Sequence, residues 1–68
     1  MTIAEIRRFA RRNLGRRVEV ELRSGRVVEG VIVFAGIFSL ILRIRVRGRF
    51  IRRRIFFRDI LSIELDRD

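Results

Sequence analysis

Residues 17–32, RVEVELRSGRVVEGVI, contain the pattern that decides the fold. Apolar residues alternate with glutamates over residues 18–22, which is typical of a strand with one buried face. Residues 23–25 predict a three-residue hairpin loop, with Gly25 in the left-handed conformation. Apolar residues return at every second position from Val28, apart from a glycine. The segment therefore predicts an antiparallel hairpin.

The second strand of this hairpin contains a glycine and then becomes apolar on both faces. Gly30 interrupts the strand interior, which predicts a sharp bend or a close approach of another backbone. Val31 and Val33 extend the apolar character to the face opposite Ile32. A strand with two apolar faces is expected to be buried on both sides. We expect part of this surface to contact another subunit.

Three further strands are predicted after the first hairpin. Ser39 to Val46 forms the third, and Arg47-Gly48 is its hairpin turn. Phe50 to Phe57 forms the fourth strand and carries three consecutive arginines. Leu61 to Leu65 forms the fifth, with its odd-numbered residues directed into the core because strand side chains alternate between faces.

A helix is predicted over residues 2–14, before the first strand. Thr2 and Glu5 have the spacing of a capping box, and Gly15 is expected to end the helix. The helix is amphipathic, because its apolar residues recur at the helical period and arginines occupy the other side. The apolar residues are Ile3, Ile6, Ala10 and Leu14.

Composition predicts a single domain over residues 1–68 with a polyanionic partner. The net charge is +9 and every basic residue is arginine, whose planar fork suits phosphate. The alternative is a solvated charged surface in a chain with a restricted amino-acid alphabet. A domain this small buries only about 60% of its unfolded surface and has no cysteine to form disulfides. Oligomerisation is the remaining common way to gain buried surface.

The order of helix and strands, together with the first hairpin, resembles the Sm-like family, which includes bacterial Hfq. The family's first motif resembles V-x-V-x-L-x-x-G-x-x-x-x-G-x-[IL]. This chain matches it without a gap at Val18, Val20, Leu22, Gly25, Gly30 and Ile32. A turn at residues 35–38 and the segment 56–60 take the places of two later Hfq-type motifs. The resemblance covers nearly the whole chain up to Leu65.

The resemblance implies an all-β fold with one N-terminal helix, a small five-stranded bent antiparallel barrel of the Sm-like or SH3-like kind. It also implies a homo-oligomeric ring of six or seven subunits that binds single-stranded RNA as a chaperone or scaffold. The implied base-binding positions on the pore face are Gly36, Ile37, Phe38, Phe57 and Arg58. Glycine replaces the family's usual turn aspartate, so weak base specificity is expected.

Two groups of arginines are expected to bind phosphates. Arg11, Arg12, Arg16 and Arg17 cluster where the helix meets the barrel, near the basic rim of Hfq-type rings. The β-hairpin after Ser39 carries Arg43, Arg45, Arg47, Arg49, Arg52 and Arg54. Like charges that face each other destabilise a strand pair, and an anion would relieve this repulsion. The alternative for the hairpin group is simple solvation at its tip.

Catalysis is not expected, because the chain has no histidine, cysteine, lysine or tyrosine to act as nucleophile or base. We expect no metal or cofactor, no membrane span and a cytoplasmic location. Two other functions remain open at this point. The domain could be an SH3-like assembly module that docks on structured RNA or a protein, or the helix could attach to an anionic membrane surface. Single-stranded RNA is the expected partner, and DNA stays possible.

Overall fold

The computed structural model describes residues 1–66, so the last two residues of the predicted domain lie outside the described part. A helix is followed by five antiparallel strands in the sheet order β4-β3-β2-β1-β5. The elements are α1 (Ile3–Arg12), β1 (Arg17–Leu22), β2 (Val27–Ala35), β3 (Ser39–Val46), β4 (Arg49–Phe56) and β5 (Ile60–Leu65). A 3₁₀ turn (Phe57–Asp59) joins the last two strands.

The predicted capping box begins α1. The backbone N–H of Glu5 donates to the Thr2 hydroxyl at 3.1 Å, and the Thr2 N–H donates to the Glu5 carboxylate at 2.7 Å. The second of these hydrogen bonds holds the pKa of Glu5 below its ordinary value. Both contacts satisfy backbone donors that would otherwise lack partners in the first turn.

The helix ends earlier than the sequence predicts. Asn13, rather than Gly15, is the capping residue, and its side-chain amide donates to the carbonyl oxygen of Phe9 at 2.8 Å. Gly15 lies beyond the cap in a left-handed conformation, with φ of 82°. Its N–H donates to the carbonyl oxygen of Ile32 at 2.7 Å, so it joins the end of the helix to β2.

The β1–β2 hairpin confirms the predicted register. Val20 lies opposite Val28, and Gly25 adopts the left-handed conformation with φ of 94°. The Leu22 N–H donates to the carbonyl oxygen of Arg26 across the loop at 2.8 Å. The buried side of the hairpin therefore follows directly from the alternation in the sequence.

Gly30 marks a close approach between β2 and β3. A Cβ atom at this position would lie 2.7 Å from the carbonyl oxygen of Arg43 and 2.7 Å from Cγ2 of Ile44. The backbone of β3 must move to accept any side chain here.

The variant Gly30→Ala is therefore expected to lower the free energy of unfolding by about 1–3 kcal/mol, as overpacking does. Urea denaturation at a fixed protein concentration measures this loss. Val27→Ala, at an exposed position of the same strand, is the control and is expected to change stability little. Unaltered stability of Gly30→Ala would contradict the close approach.

One apolar cluster joins the helix to all five strands. Its buried members are Ile6, Ala10, Val18, Val20, Val28, Ile32, Leu40, Leu42, Ile55, Phe57, Ile60 and Ile63. Within residues 1–66, β4 and β5 form the two edges and are not paired with each other.

The fifth strand departs from the predicted alternation. Ile60 is fully buried, whereas Leu61, which was expected to face the core, is 42% exposed. The register shifts where β1 pairs β5, so that Glu21 lies opposite Ser62 while Leu22 lies opposite Ile60. This bulge leaves Leu61 as the extra residue and turns it away from the core.

The end of β4 also differs by one residue from the prediction. The strand ends at Phe56, and Phe57 begins the 3₁₀ turn instead of completing the strand. Phe57 is only 1% exposed, because this turn directs its ring into the core.

Candidate nucleic-acid interface

A cavity of about 200 Å³ opens between α1, the β2–β3 turn and the 3₁₀ turn, and we call it the loop cavity. Its walls are formed by Ile3, Arg7, Ile37, Phe38, Phe56, Phe57 and Arg58. The Phe57 N–H donates to the carbonyl oxygen of Phe38 at 2.8 Å, which holds the two turns together. Two segments almost 20 positions apart in the chain thus meet at one site.

The structure brings four of the five predicted base-binding residues to this cavity. Ile37, Phe38, Phe57 and Arg58 line it. Gly36 lies in the same turn but is not one of the lining residues. Its carbonyl oxygen accepts a hydrogen bond at 3.2 Å from the guanidinium of Arg11, and so it contributes to the placement of the turn.

The aromatic rings of the loop cavity differ in exposure. The Phe38 ring is 74% exposed and stands at the rim, whereas Phe57 is buried and forms the floor. Phe56 is partly exposed, and the Arg58 guanidinium carbon lies 5.1 Å from the centre of its ring. An exposed aromatic face beside a guanidinium is an arrangement that can stack a planar group and neutralise an anion.

The helix contributes residues that the sequence analysis did not assign to the site. Arg7 donates through Nε to the carbonyl oxygen of Ile37 at 2.8 Å, and its guanidinium carbon lies 5.9 Å from the centre of the Phe57 ring. Ile3 lines the cavity one turn earlier on the same side of α1, which the i, i+4 spacing could have indicated.

The arginines predicted to cluster where the helix meets the first strand have mixed roles in the structure. Arg11 and Arg12 line a shallow groove along α1 together with other arginines of the helix. Arg16 is exposed at the junction. The guanidinium of Arg17 forms ion pairs with Asp66 at 2.8 Å and Glu29 at 3.6 Å. Its charge is therefore largely compensated within the chain.

The β3–β4 hairpin turns at Arg47-Gly48, as the sequence predicts, with both residues at positive φ. The strand register places Arg43 directly opposite Arg52 and Arg49 opposite Val46. Since side chains alternate between faces, these two pairs lie on opposite sides of the sheet.

Four of the six predicted hairpin arginines share the outer face of the sheet, the face opposite the buried core residues. We call this group the arginine patch, and it consists of Arg43, Arg45, Arg52 and Arg54. Arg49 points to the other side, and Arg47 stands in the turn. Within residues 1–66, no member of the arginine patch forms an ion pair.

Acidic residues occupy the other part of the outer face. Glu64, Glu19 and Glu29 lie directly opposite one another across β5, β1 and β2. Carboxylates in such a row repel phosphates. The outer face is thus divided into an acidic half on β5, β1 and β2 and a basic half on β3 and β4.

The part of the chain that the structure describes contains no group of three or more histidine, cysteine, aspartate or glutamate residues placed to hold a metal ion. Its single α-helix is too short and too polar to cross a membrane.

No protein-family model, curated protein or solved structure matches the chain. The fold and site therefore define a class by architecture: a small, mostly β domain with an N-terminal helix and five antiparallel strands.

Proposed function

We propose that this chain is a ring-forming, non-enzymatic protein of the Sm-like kind that binds single-stranded RNA with weak base specificity. It would act as an RNA chaperone or scaffold. The observation that carries the proposal is the loop cavity, which is lined both by the exposed ring of Phe38 and by Arg58, whose guanidinium lies over Phe56.

Stacking on Phe38 supplies affinity without a requirement for one base. Base stacking on an aromatic side chain is worth about 1–3 kcal/mol and tolerates any sequence, because every base has a π face. The side chains that line the loop cavity are aliphatic, aromatic or guanidinium groups. None carries an amide or a carboxylate that could accept hydrogen bonds from a base edge, which favours weak base specificity.

The uncompensated positive charge supports a polyanionic partner. Among the residues that the structure describes, the arginine patch has no ion-pair partner, and the net charge of the chain is +9. Contacts from arginine to phosphate add affinity without sequence information and weaken as salt rises. RNA and DNA offer the same phosphates. A competition experiment with single-stranded RNA and DNA of equal length therefore tests whether the protein prefers RNA.

Self-association is supported by the two free sheet edges. An edge strand presents unpaired N–H and C=O groups that can pair with another chain. The two edges are β4 and β5. In a head-to-tail assembly, β4 of one copy is expected to pair with β5 of the next through these backbone groups.

Head-to-tail pairing of this kind closes into a ring when the rotation between copies permits it. The helix α1 packs on the buried core of the five-stranded sheet, and closure of this sheet into an Sm-like barrel is part of the proposal. A monomer would instead favour the assembly-module function.

Arg58→Ala is expected to weaken the binding of single-stranded RNA by about tenfold or more, because hydrogen bonds to charged groups contribute about 1.5–3 kcal/mol. Fluorescence anisotropy with a labelled uniform-sequence RNA measures the affinity. Arg26→Ala removes an exposed arginine outside both the loop cavity and the arginine patch, and is the matched control. Equal affinity of Arg58→Ala and the parent chain would remove Arg58 from the site.

A further inference from the structure

The exposed ring of Phe50 is not explained by packing or by the loop cavity. Phe50 is 61% exposed near the tip of the β3–β4 hairpin, on the outer face. The guanidinium carbons of Arg43 and Arg45 lie 5.0 Å and 5.6 Å from the centre of its ring. A ring that is mostly exposed and has guanidiniums close to it can stack a planar group while the cations bind its phosphates.

Phe50 is also one end of a continuous row on β4, which we call the β4 stripe. The strand register places its members, Phe50, Arg52, Arg54 and Phe56, at every second position on the outer face. Neighbours in the row are about 6.8 Å apart, so the two rings are separated by about 20 Å. Phe56 lines the loop cavity and is stacked by Arg58, and the stripe therefore begins at the proposed base-binding site.

The charges beside the β4 stripe favour an anionic chain rather than a protein surface. Arg43 lies directly opposite Arg52, and like charges in such a pair destabilise the hairpin. Phosphates bound between the guanidiniums relieve that repulsion. The acidic row of Glu64, Glu19 and Glu29 occupies the far side of the same face, and would exclude an anionic chain from it.

We propose that the outer face of β4 is a second contact surface for single-stranded RNA, on which Phe50 stacks a base and the arginine patch binds phosphates. The proposal rests on the proposed function, because it extends the path of a strand whose first base occupies the loop cavity. Alternating aromatic and arginine side chains are the means by which proteins bind single strands without reading their sequence.

The test compares two uniform-sequence RNAs, one of about 4 and one of about 16 nucleotides. Phe50→Ala is expected to weaken binding of the longer RNA by roughly 5- to 140-fold, the loss of one stacked base. Binding of the shorter RNA is expected to stay within about twofold of the parent chain, since a short RNA is held by the loop cavity. Ile51→Ala, on the opposite face of the same strand and similarly exposed, is the control and should change neither affinity.

A second experiment tests the phosphate contacts by measuring how the affinity for RNA depends on salt concentration. Arg52→Gln combined with Arg54→Gln should reduce the slope of log affinity against log salt by about 1.4, given about 0.7 for each phosphate contact to a single strand. Arg49→Gln changes an arginine on the other face of β4 and should leave the slope unaltered. Circular dichroism and the absolute mass check that each variant keeps its fold and assembly.

The outcomes separate the two proposals. Full affinity of Phe50→Ala for the longer RNA, with weakened binding of Phe38→Ala, overturns the β4 stripe and leaves the loop cavity in place. Absence of RNA binding by the parent chain overturns the proposed function itself. The Phe50 and Arg52/Arg54 variants could also lose binding to vesicles of acidic phospholipid while they keep their affinity for RNA. That result overturns the proposed RNA contact and makes the β4 stripe a membrane-binding surface.

Discussion

Replacing Phe38 by alanine is expected to weaken the binding of single-stranded RNA by roughly 5- to 140-fold, the equivalent of about 1–3 kcal/mol. The reason is that the Phe38 ring is the most exposed aromatic surface at the loop cavity, with 74% of the residue in contact with solvent. Such a ring contributes little to the core, so its removal should change affinity and leave the fold unchanged. Anisotropy titrations together with thermal unfolding measure both quantities.

Two further variants make the Phe38 test specific. Phe38→Tyr keeps an aromatic face and should restore most of the affinity. Phe34→Ala removes another exposed ring, on β2 and outside the lining of the loop cavity, and should leave binding unchanged. Identical binding curves for Phe38→Ala and the parent chain would show that Phe38 does not stack a base.

Phe57→Ala is expected to have a large effect of a different kind, a loss of about 3–5 kcal/mol in the free energy of unfolding. The Phe57 ring is buried and joins the cluster that connects α1 to the strands. The core of a chain this short rarely supplies more than about 3–5 kcal/mol, so this variant should be close to unfolded. Urea denaturation at fixed protein concentration gives the value, because association also contributes to stability.

The conservative variant Phe57→Leu distinguishes two roles of Phe57, packing in the floor of the loop cavity and stacking on a base. It should remain folded with a smaller loss of stability and should bind RNA with nearly the affinity of the parent chain, since a buried ring has no face free for a base. A stability loss below about 1 kcal/mol for Phe57→Ala would contradict the packing role. A strong loss of affinity in a folded Phe57→Leu would instead make Phe57 a direct RNA contact.

Local sequence patterns predicted most of the architecture, because they act over a few residues. The alternation at residues 18–22 and the glycine at position 25 together determined the first hairpin and its register. The prediction of Ser39 to Val46 as a strand is confirmed at both ends. Thr2 and Glu5 form the capping box that their spacing indicated.

The two errors have different causes. Leu61 fits a simple alternation, but the bulge opposite Leu22 is created only when β5 pairs with β1, a contact that a short window of sequence does not contain. The early end of α1 has a local cause, because the Asn13 side chain donates to the carbonyl oxygen of Phe9 four positions earlier. Gly15 has the residue type of a helix terminator, but it lies beyond this cap and bonds Ile32 of β2.

The loop cavity was predicted in part for the same reason. Phe38 and Arg58 were identified through the family resemblance, whereas Ile3 and Arg7 reach the site only because α1 packs beside the β2–β3 turn.

The length of the turn at Arg47-Gly48 decides on which face of the sheet each arginine of the β3–β4 hairpin lies. A two-residue turn sends Arg49 to the side opposite the arginine patch, and a one-residue change would have reversed it.

We propose that copies of this chain assemble into a ring that holds single-stranded RNA, and the absolute mass in solution distinguishes such a ring from a monomer. Light scattering at high salt, which strips bound nucleic acid, gives the mass without an assumption about shape. A ring is expected to have six or seven times the 8.2 kDa mass of one chain. A mass of one chain would contradict it, because the β4 and β5 edges would then be unpaired and the domain would act as a single basic module.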